Sequence, residues 1–303
     1  MISLHSKQEF GGQRFLIGSG SSRLGDDMTK PYQALSAIYD LAGWGYFAER
    51  MAGRMRHLAD VHGLEQIEHV VDVACGTGIA VAAFAEAGYQ VTGVDRSPYM
   101  LDQARQRVAQ ADATSSSAQS VTLIEADMRD FSLPEDGRPA ADLVTCMYDS
   151  LNYLLEEADL AAAFRCVADV LRPGGLYIFD VNTLYGLAEE WNSHDFIQYD
   201  SEDLFIAGRT RWDHERAINT LTFHGFIRLG EGVWERFLET HVQRGYPIDV
   251  LRGLLEEAGL APLAVYDAGR RSGPDAGKDE QLVGSAVQTG RVLIVAQKRG
   301  TDG

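Results

Sequence analysis

The chain has 303 residues, of which 45% are hydrophobic and 23% charged. That balance excludes disorder over the whole length and suits one large α/β domain, or a core carrying a smaller insertion. With 44 acidic and 27 basic residues the formal net charge is -17, a surface that repels phosphate backbones and argues against a nucleic-acid partner.

Three widely spaced cysteines, Cys75, Cys146 and Cys166, form neither a disulfide framework nor a zinc pattern, so no metal is expected and a reducing compartment fits. The N-terminus lacks a basic segment followed by an apolar run, and no stretch of about 18 apolar residues is present to span a bilayer. These readings predict a cytoplasmic protein without membrane contact.

Residues 1–30 are rich in Gly, Ser and charge and show no sustained periodicity; a loose leader is expected there. Two helical patterns follow between Pro31 and Leu64. The second, from Gly45 to Val61, sets Phe47, Met51, Met55 and Leu58 at spacings of three and four, which makes one apolar face. Strand and helix then alternate. Val70 to Ala74 is a short apolar run, followed by Cys75-Gly76-Thr77-Gly78 and a helix through Ala87 that Gly88 ends. A strand from Gln90 to Val94 ends at Asp95, and Ser97-Pro98 opens a helix to about Ala111. Further strands are expected at Val121–Glu125, Ala141–Cys146 and Leu176–Val181, with a helix at 159–171 stopped by Pro173-Gly174-Gly175.

Residues 182–244 break this rhythm with short β-like runs and no strong helix, which predicts an inserted antiparallel segment. A helix at 249–258, a strand at 262–266 and a last strand at 291–297 complete the chain. The alternation predicts a Rossmann-like, doubly wound α/β fold with a seven-stranded, mostly parallel sheet. One antiparallel strand is expected at its edge, contributed by the final hairpin. The expected division is a leader at 1–30, a core at 31–183 and 244–299, and a small antiparallel β lid at 184–243.

The strand that ends in Asp72-Val73-Ala74-Cys75-Gly76-Thr77-Gly78 and turns into a helix carries the chemistry. Its glycines permit a tight turn and close approach of a ligand, and the helix N-terminus offers unpaired N–H groups. Asp95, at the end of the next strand, places a carboxylate beside the same crevice, where it binds ribose hydroxyls in doubly wound folds. Together they point to a cofactor containing adenosine. A dinucleotide site favours a third glycine where this chain has Val81, which counts against NAD(P).

Five segments in order then resemble the class I S-adenosylmethionine-dependent methyltransferases: Val70–Gly78 (VVDVACGTG), Val91–Ser97 (VTGVDRS), Glu125–Met128, Asp142–Leu154 (DLVTCMYDSLNYL) and Leu171–Gly175 (LRPGG). The resemblance covers roughly 64–181, and the most similar subgroup is the bacterial small-molecule methyltransferases. It implies S-adenosyl-L-methionine as cofactor, with Gly76 and Gly78 beside its methionine portion along with Ala74 and Cys75. Asp95 would bind the ribose, with Arg96 and Met100 flanking the adenine. Asp127 would accept the adenine amino hydrogen, with Met128 against the ring, and Met147 and Tyr148 would lie near the sulfonium. The family's upstream aromatic resembles Tyr32 or Tyr39. Ala74 departs from the glycine that many members carry.

Asp72, inside an apolar strand, must be paired, and it fits a loop-orienting role as well as a ligand contact. Cys75 and Cys146 read as small apolar fillers. Methyl transfer from a sulfonium is an in-line displacement that needs no covalent nucleophile, and a base only where the acceptor must lose a proton. Tyr39, Asp149, Asn152, His224 and His241 are the catalytic candidates; as residues of strands the histidines fit structural or exposed positions equally well. Trp191, Tyr199, Trp212 and Trp234 crowd the insertion and suit a cage for a cationic acceptor, the insertion's own core, or the face of a homodimer. The expected activity is methyl transfer to nitrogen or oxygen of a small-molecule acceptor, and an acidic lid would favour an amine. An NAD(P)-dependent oxidoreductase and a non-catalytic S-adenosylmethionine-binding protein are the alternatives.

Overall fold

The computed structural model describes residues 32, 35–39, 45–114, 121–134, 140–191, 195–230, 232–269 and 289–300. The expected leader at 1–30 and most of the expected loop at 268–284 lie outside the described residues.

Seven strands form the central sheet: β1 (His69–Val73), β2 (Gln90–Asp95), β3 (Val121–Glu125), β4 (Ala141–Cys146), β5 (Leu171–Asn182), β10 (Leu260–Asp267) and β11 (Arg291–Lys298), in the order β10-β11-β5-β4-β1-β2-β3. The pairs β3–β2, β2–β1, β1–β4 and β4–β5 are parallel, while β11 runs antiparallel to both β5 and β10. This corrects the expected position of the reversed strand. The hairpin inserts its second strand, β11, between β5 and β10, so the reversed strand is internal and β10 takes the edge. The apolar run Val292–Ala296 is fully buried, as a strand covered on both faces requires.

Helices cover both faces. Alternate strand residues point to opposite sides, so Val70, Leu176 and Ile178 meet α1 (Gly45–Val61) and α2 (Ile79–Glu86), while Val71, Tyr177 and Phe179 meet α4 (Glu157–Val170) and α5 (Ile248–Glu257). The apolar face expected of α1 is the one buried: Met51, Met55 and Leu58 lie in the core with Phe47 packed against it. Helix α3 (Pro98–Thr114) joins the α1 side through Leu101. The segment Leu171–Gly175 differs from expectation in belonging to β5, whose register with β4 shifts between Ala141 and Leu143. Arg172 there donates to Asp142, whose other oxygen accepts the N–H groups of Glu68 and His69, so this motif ties the starts of β1, β4 and β5 together.

Between β5 and α5 the chain forms a four-stranded antiparallel sheet, β6 (Asp195–Asp200), β7 (Leu204–Asp213), β8 (Ile218–Gly230) and β9 (Val233–Arg244), ordered as in the chain. Its inner face buries Leu204, Ile206, Leu221 and Phe223 against Leu35 and Ile38 of the short 3-10 turn preceding α1. Two inner-face glycines, Gly208 and Gly225, are covered by the cross-strand rings of Phe196 and Phe237, a pairing that restores the packing a glycine removes from a strand.

Candidate active site

Two cavities meet at the carboxyl ends of the parallel strands, the position at which doubly wound sheets bind ligands. The first runs over the loop between β1 and α2 and past the ends of β2 and β3. The second lies between the core and the inner face of the β6–β9 sheet. Tyr32, Tyr39, Tyr148 and Tyr153 line both and form the wall between them.

In the first cavity, Ala74, Gly76 and Gly78 all have positive φ, at 57°, 55° and 75°. This succession of left-handed residues turns the chain off β1 and aims the first N–H groups of α2 into the cavity. A Cβ built on Gly76 would meet nothing within 4 Å, whereas one on Gly78 would come 2.8 Å from the Cβ of Ala104, so Gly78 is required for the contact of α2 with α3. Asp95 closes the turn from the side, accepting the Gly76 N–H through Oδ2 and the Ser97 N–H through Oδ1, both at 2.8 Å. Burial raises its pKa, and the two backbone donors hold it back. Asp72 is buried on β1, where its Oδ1 accepts the Thr145 hydroxyl at 2.7 Å and burial pushes its pKa up to about 7.

Asp127 is the opposite case. Arg129 grips it with two side-chain N–H groups at 2.8 Å and the backbone N–H at 3.0 Å, and this lowers its pKa. Arg96, Met100, Met128 and Met147 line the same cavity, as does Cys75, whose thiol burial pushes up. The structure therefore brings every expected cofactor-binding residue except Gly78 to the wall of one cavity, and Gly78 into the turn below it.

Helix α2 has Val81 where a dinucleotide loop favours a third glycine, and β2 supplies the missing space. A Cβ on Gly93 would fall 3.0 Å from Val81 Cγ2, so the glycine that lets helix and sheet approach sits on the strand. The donors of the α2 N-terminus, an acidic group beside an open glycine backbone, and the flanking methionines fit an adenosine-bearing sulfonium cofactor.

The family described as a methyltransferase domain matches residues 70–175, which run from β1 into β5. The protein YqeM of Bacillus subtilis (strain 168), which bears a methyltransferase name, is 35% identical over 195 residues, covering 63% of this chain and 72% of that protein. This chain belongs to the class I S-adenosylmethionine-dependent methyltransferases. A dTDP-3-amino-3,4,6-trideoxy-alpha-D-glucopyranose N,N-dimethyltransferase of Streptomyces venezuelae is 33% identical over 132 residues, 43% of this chain and 50% of that enzyme. The crystal structure of an S-adenosylmethionine-dependent methyltransferase from Clostridium acetobutylicum ATCC 824 shares the fold, with a TM-score of 0.71 at 23% identity over 89% of this chain and 99% of that one. The cofactor of the methyltransferase is S-adenosylmethionine, which supplies an electrophilic methyl carbon on a positively charged sulfur.

The second cavity is built from residues far apart in the sequence. Asp180 on β5 accepts the backbone N–H groups of Tyr148 at 2.6 Å and Asp149 at 3.0 Å, and both residues have positive φ. This carboxylate holds a strained turn that places Tyr148 between the two cavities. Asp149 itself is enclosed: one oxygen accepts from Gln243 and the other from Arg291, which also donates to Asp180 at 3.0 Å and to Asn182 at 3.1 Å. Arg291 lies over the rings of Phe47 and Tyr148 at 4.8 and 5.3 Å. Burial raises the pKa of Asp149 and pushes that of Asp180 up to about 6, against the pull of Arg291. Asn152 is buried and bridges Asn182 and Arg244, a structural position.

The two histidine candidates separate. On β8, Phe223 points into the cavity and His224 to the opposite face, where its ring stands 3.4 Å from Arg236 and lines neither cavity. His224 is therefore corrected to the outer surface of the sheet. His241 on β9 is buried in the wall of the second cavity, with Nδ1 2.9 Å from the Tyr153 hydroxyl and Nε2 3.1 Å from Glu239. Of the four aromatic residues that crowd the insertion, Trp191 lines the cavity, Tyr199 packs under the sheet, Trp212 donates to His214 and Trp234 is exposed.

Sequence reasoning missed Tyr153, Asp180, Glu239, Gln243 and Arg291. The one signal for the β9 residues was polar alternation, Glu239-Thr240-His241-Val242-Gln243, whose polar side faces the cavity and not water.

Proposed function

We propose that the enzyme transfers the methyl group of S-adenosylmethionine to nitrogen or oxygen of a small-molecule acceptor held in the second cavity. The observation that carries this reading is the shared wall of four tyrosines, which puts two ligand-sized chambers in contact at the ends of the strands. In this reading Asp95 receives the ribose hydroxyls on its remaining lone pairs, Asp127 the adenine amino group, and Gly76 and Ala74 the methionine portion. Met100 and Met128 flank the adenine. Tyr39 and Tyr148 orient the two reactants, and the β6–β9 sheet serves as lid and excludes water.

Nitrogen is the better acceptor atom. Besides its tyrosines, the described ionisable side chains of the second cavity, Asp149, Glu190, His241 and Arg291, include one arginine, and that cation is ion-paired to Asp149. A cationic amine entering this chamber gains from the acidic excess. The Streptomyces venezuelae relative, named for dimethylation of an amino sugar, supports the same class. Asp149 acts by holding Arg291 and Gln243, since both its oxygens are occupied.

Among the described residues no helix is long and apolar enough to cross a membrane, and no cluster of His, Cys, Asp and Glu is placed to hold a metal. We place the enzyme in the cytoplasm without a nucleic-acid partner, in keeping with its net charge of -17. The outer face of the lid, with Ile197, Trp234 and Leu238 exposed, is where a second copy of the chain would pair; light scattering after gel filtration tests this.

The deciding experiment is calorimetric titration with S-adenosylhomocysteine and with NADH. A saturable heat with the former alone, followed by capture of labelled methyl from S-adenosylmethionine across amine and hydroxyl acceptors, is the expected result. Binding of NADH and not S-adenosylhomocysteine would overturn the reading, and cofactor binding with no methyl consumed across the panel would make the protein a non-catalytic binder.

A further inference from the structure

Tyr32, Tyr153 and His241 form one hydrogen-bonded chain along the wall of the second cavity, and Glu239 stands behind its last member. The Tyr32 hydroxyl donates to the Tyr153 hydroxyl at 2.7 Å, and the Tyr153 hydroxyl lies 2.9 Å from His241 Nδ1. His241 Nε2 makes no hydrogen bond and lies 3.1 Å from Glu239 Oε1, an ion-pair distance, with both side chains almost wholly out of solvent. Glu239 also accepts two backbone N–H groups, from Tyr32 at 2.5 Å and Leu35 at 3.1 Å. The rings are in mutual contact: Tyr32 and His241 have centroids 5.1 Å apart, Tyr153 and His241 5.8 Å. A buried carboxylate, an imidazole and two phenols have no packing reason to be gathered in an interior where apolar residues cost less.

We propose that Tyr32, Tyr153, His241 and Glu239 are a proton relay that accepts the proton released by the acceptor and stores it on His241. This rests on reading the second cavity as the acceptor chamber. An amine gains one methyl and loses one proton. An amine that enters as its cation first gives up that proton to free its lone pair; the lone pair then forms the bond to the methyl carbon, and the electron pair of the broken carbon–sulfur bond stays on sulfur. The nitrogen's proton passes to the Tyr32 oxygen as the Tyr32 proton moves to Tyr153 and the Tyr153 proton to His241 Nδ1. The product state is an imidazolium beside the Glu239 carboxylate, and proton exchange through the cavity resets it after product leaves.

The order of the chain follows from its chemistry. Burial raises the pKa of both Tyr32 and Tyr153, so they conduct a proton as neutral phenols and do not rest as phenolates. Histidine is the member able to take up a proton near neutrality. With Nδ1 accepting from Tyr153, the neutral ring carries its proton on Nε2, toward Glu239. The other charged groups near His241 are Asp149 and, behind it, Arg291, which offset each other; Phe223, on β8, faces the ring without charge. Glu239 is a positioning residue in a second sense as well. Its carboxylate holds the backbone N–H groups of Tyr32 and Leu35, so the wall between the cavities and the proton store share one anchor.

The test uses the full chain saturated with S-adenosylhomocysteine and follows the imidazole resonances by NMR, His241 being assigned through its loss in His241→Gln. The expected wild-type ring is the Nε2–H tautomer. Glu239→Gln removes the charge and keeps an acceptor for only one of the two backbone donors, which bind different oxygens, so the preference for the Nε2–H tautomer should weaken. Tyr153→Phe should release the tautomer preference. With an amine acceptor from the screen, Tyr153→Phe should lower kcat tenfold or more and shift the acid limb of its pH profile, with KM for S-adenosylmethionine unchanged. A wild-type ring protonated on Nδ1, a tautomer preference unmoved by Glu239→Gln, or an unaltered pH profile in Tyr153→Phe would each overturn the relay. If those results came with S-adenosylhomocysteine affinity intact, the methyltransferase reading would stand without the relay.

Discussion

Val81 of α2 and Gly93 of β2 fill complementary space: a Cβ on Gly93 would lie 3.0 Å from Val81 Cγ2, and also 3.0 Å from Cys75 Sγ and 2.9 Å from Leu123 Cδ2. The close approach of α2 to the sheet, on which the cofactor turn depends, is obtained here by a small residue on the strand. Gly93→Ala should therefore cost about 1–3 kcal/mol through overpacking. Val81→Ala in the same background should recover part of that loss, although it removes apolar volume. Urea unfolding of the two single variants and the double variant checks this; a strictly additive double variant would show that the two residues do not share the space.

Asp95 gives the second prediction. Its two oxygens brace the Gly76 and Ser97 backbone before any ligand arrives, so replacing it removes a ligand contact and a loop brace together. Asp95→Ala should weaken S-adenosylhomocysteine binding by at least tenfold, about 1.4 kcal/mol. Asp95→Asn, which keeps one accepting oxygen, should fall between. Isothermal titration is the measurement, with circular dichroism to confirm that the fold is retained.

Asp72 makes a prediction about pH. Its folded pKa stands at about 7 because burial disfavours the charged form, whereas an unfolded carboxyl titrates near 3.9. The folded state therefore binds the proton more tightly. The contribution of Asp72 to stability is fully present below about pH 4 and is lost as pH rises through about 7. Asp72→Asn should flatten the stability profile over that window, by a few kcal/mol, since each pKa unit corresponds to about 1.4 kcal/mol. Equilibrium unfolding of the wild type and the variant at pH 5 and pH 8 reads this directly; parallel profiles would refute it.

The extent to which the site is legible in the sequence follows from sequence separation. Val70–Gly78, Asp95 and Asp127 sit on consecutive strand ends, so the local order of strand, turn and helix already places them around one crevice. The second cavity has no such local signature. Arg291 reaches Asp149 across 142 positions and Glu239 reaches the Tyr32 backbone across 207. Only the pairing of β11 beside β5, and the folding of β9 over the strand ends, brings these groups together. The position of β11 departs from expectation for a related reason. A hairpin of two buried strands does not reveal which of its members joins the existing sheet; that depends on pairing with Leu176–Asn182, far away in sequence. His224 and His241 likewise share a sheet and differ in which face they occupy, a choice set by strand register and invisible in either residue alone.

Arg291 supplies the last prediction. It is ion-paired to Asp149 and Asp180, whose side chains are 4% and 0% exposed, while its own is 16% exposed. Removing one partner of a buried pair costs about 3–5 kcal/mol, most of it from the charge left behind. Two carboxylates would remain here. Arg291→Met should therefore destabilise the protein by that order, and the loss should be larger at pH 8 than at pH 5. At the lower pH Asp180, with its pKa pushed up to about 6, becomes protonated and no longer needs the cation. Arg291→Lys keeps a charge but not the fork that spans Asp149, Asp180 and Asn182, so it should recover only part of the stability. Thermal unfolding of both variants at the two pH values distinguishes charge from geometry. Equal losses at pH 5 and pH 8 would mean that the stacking of Arg291 on Phe47 and Tyr148, rather than its neutralisation of the two carboxylates, holds the wall between the cavities.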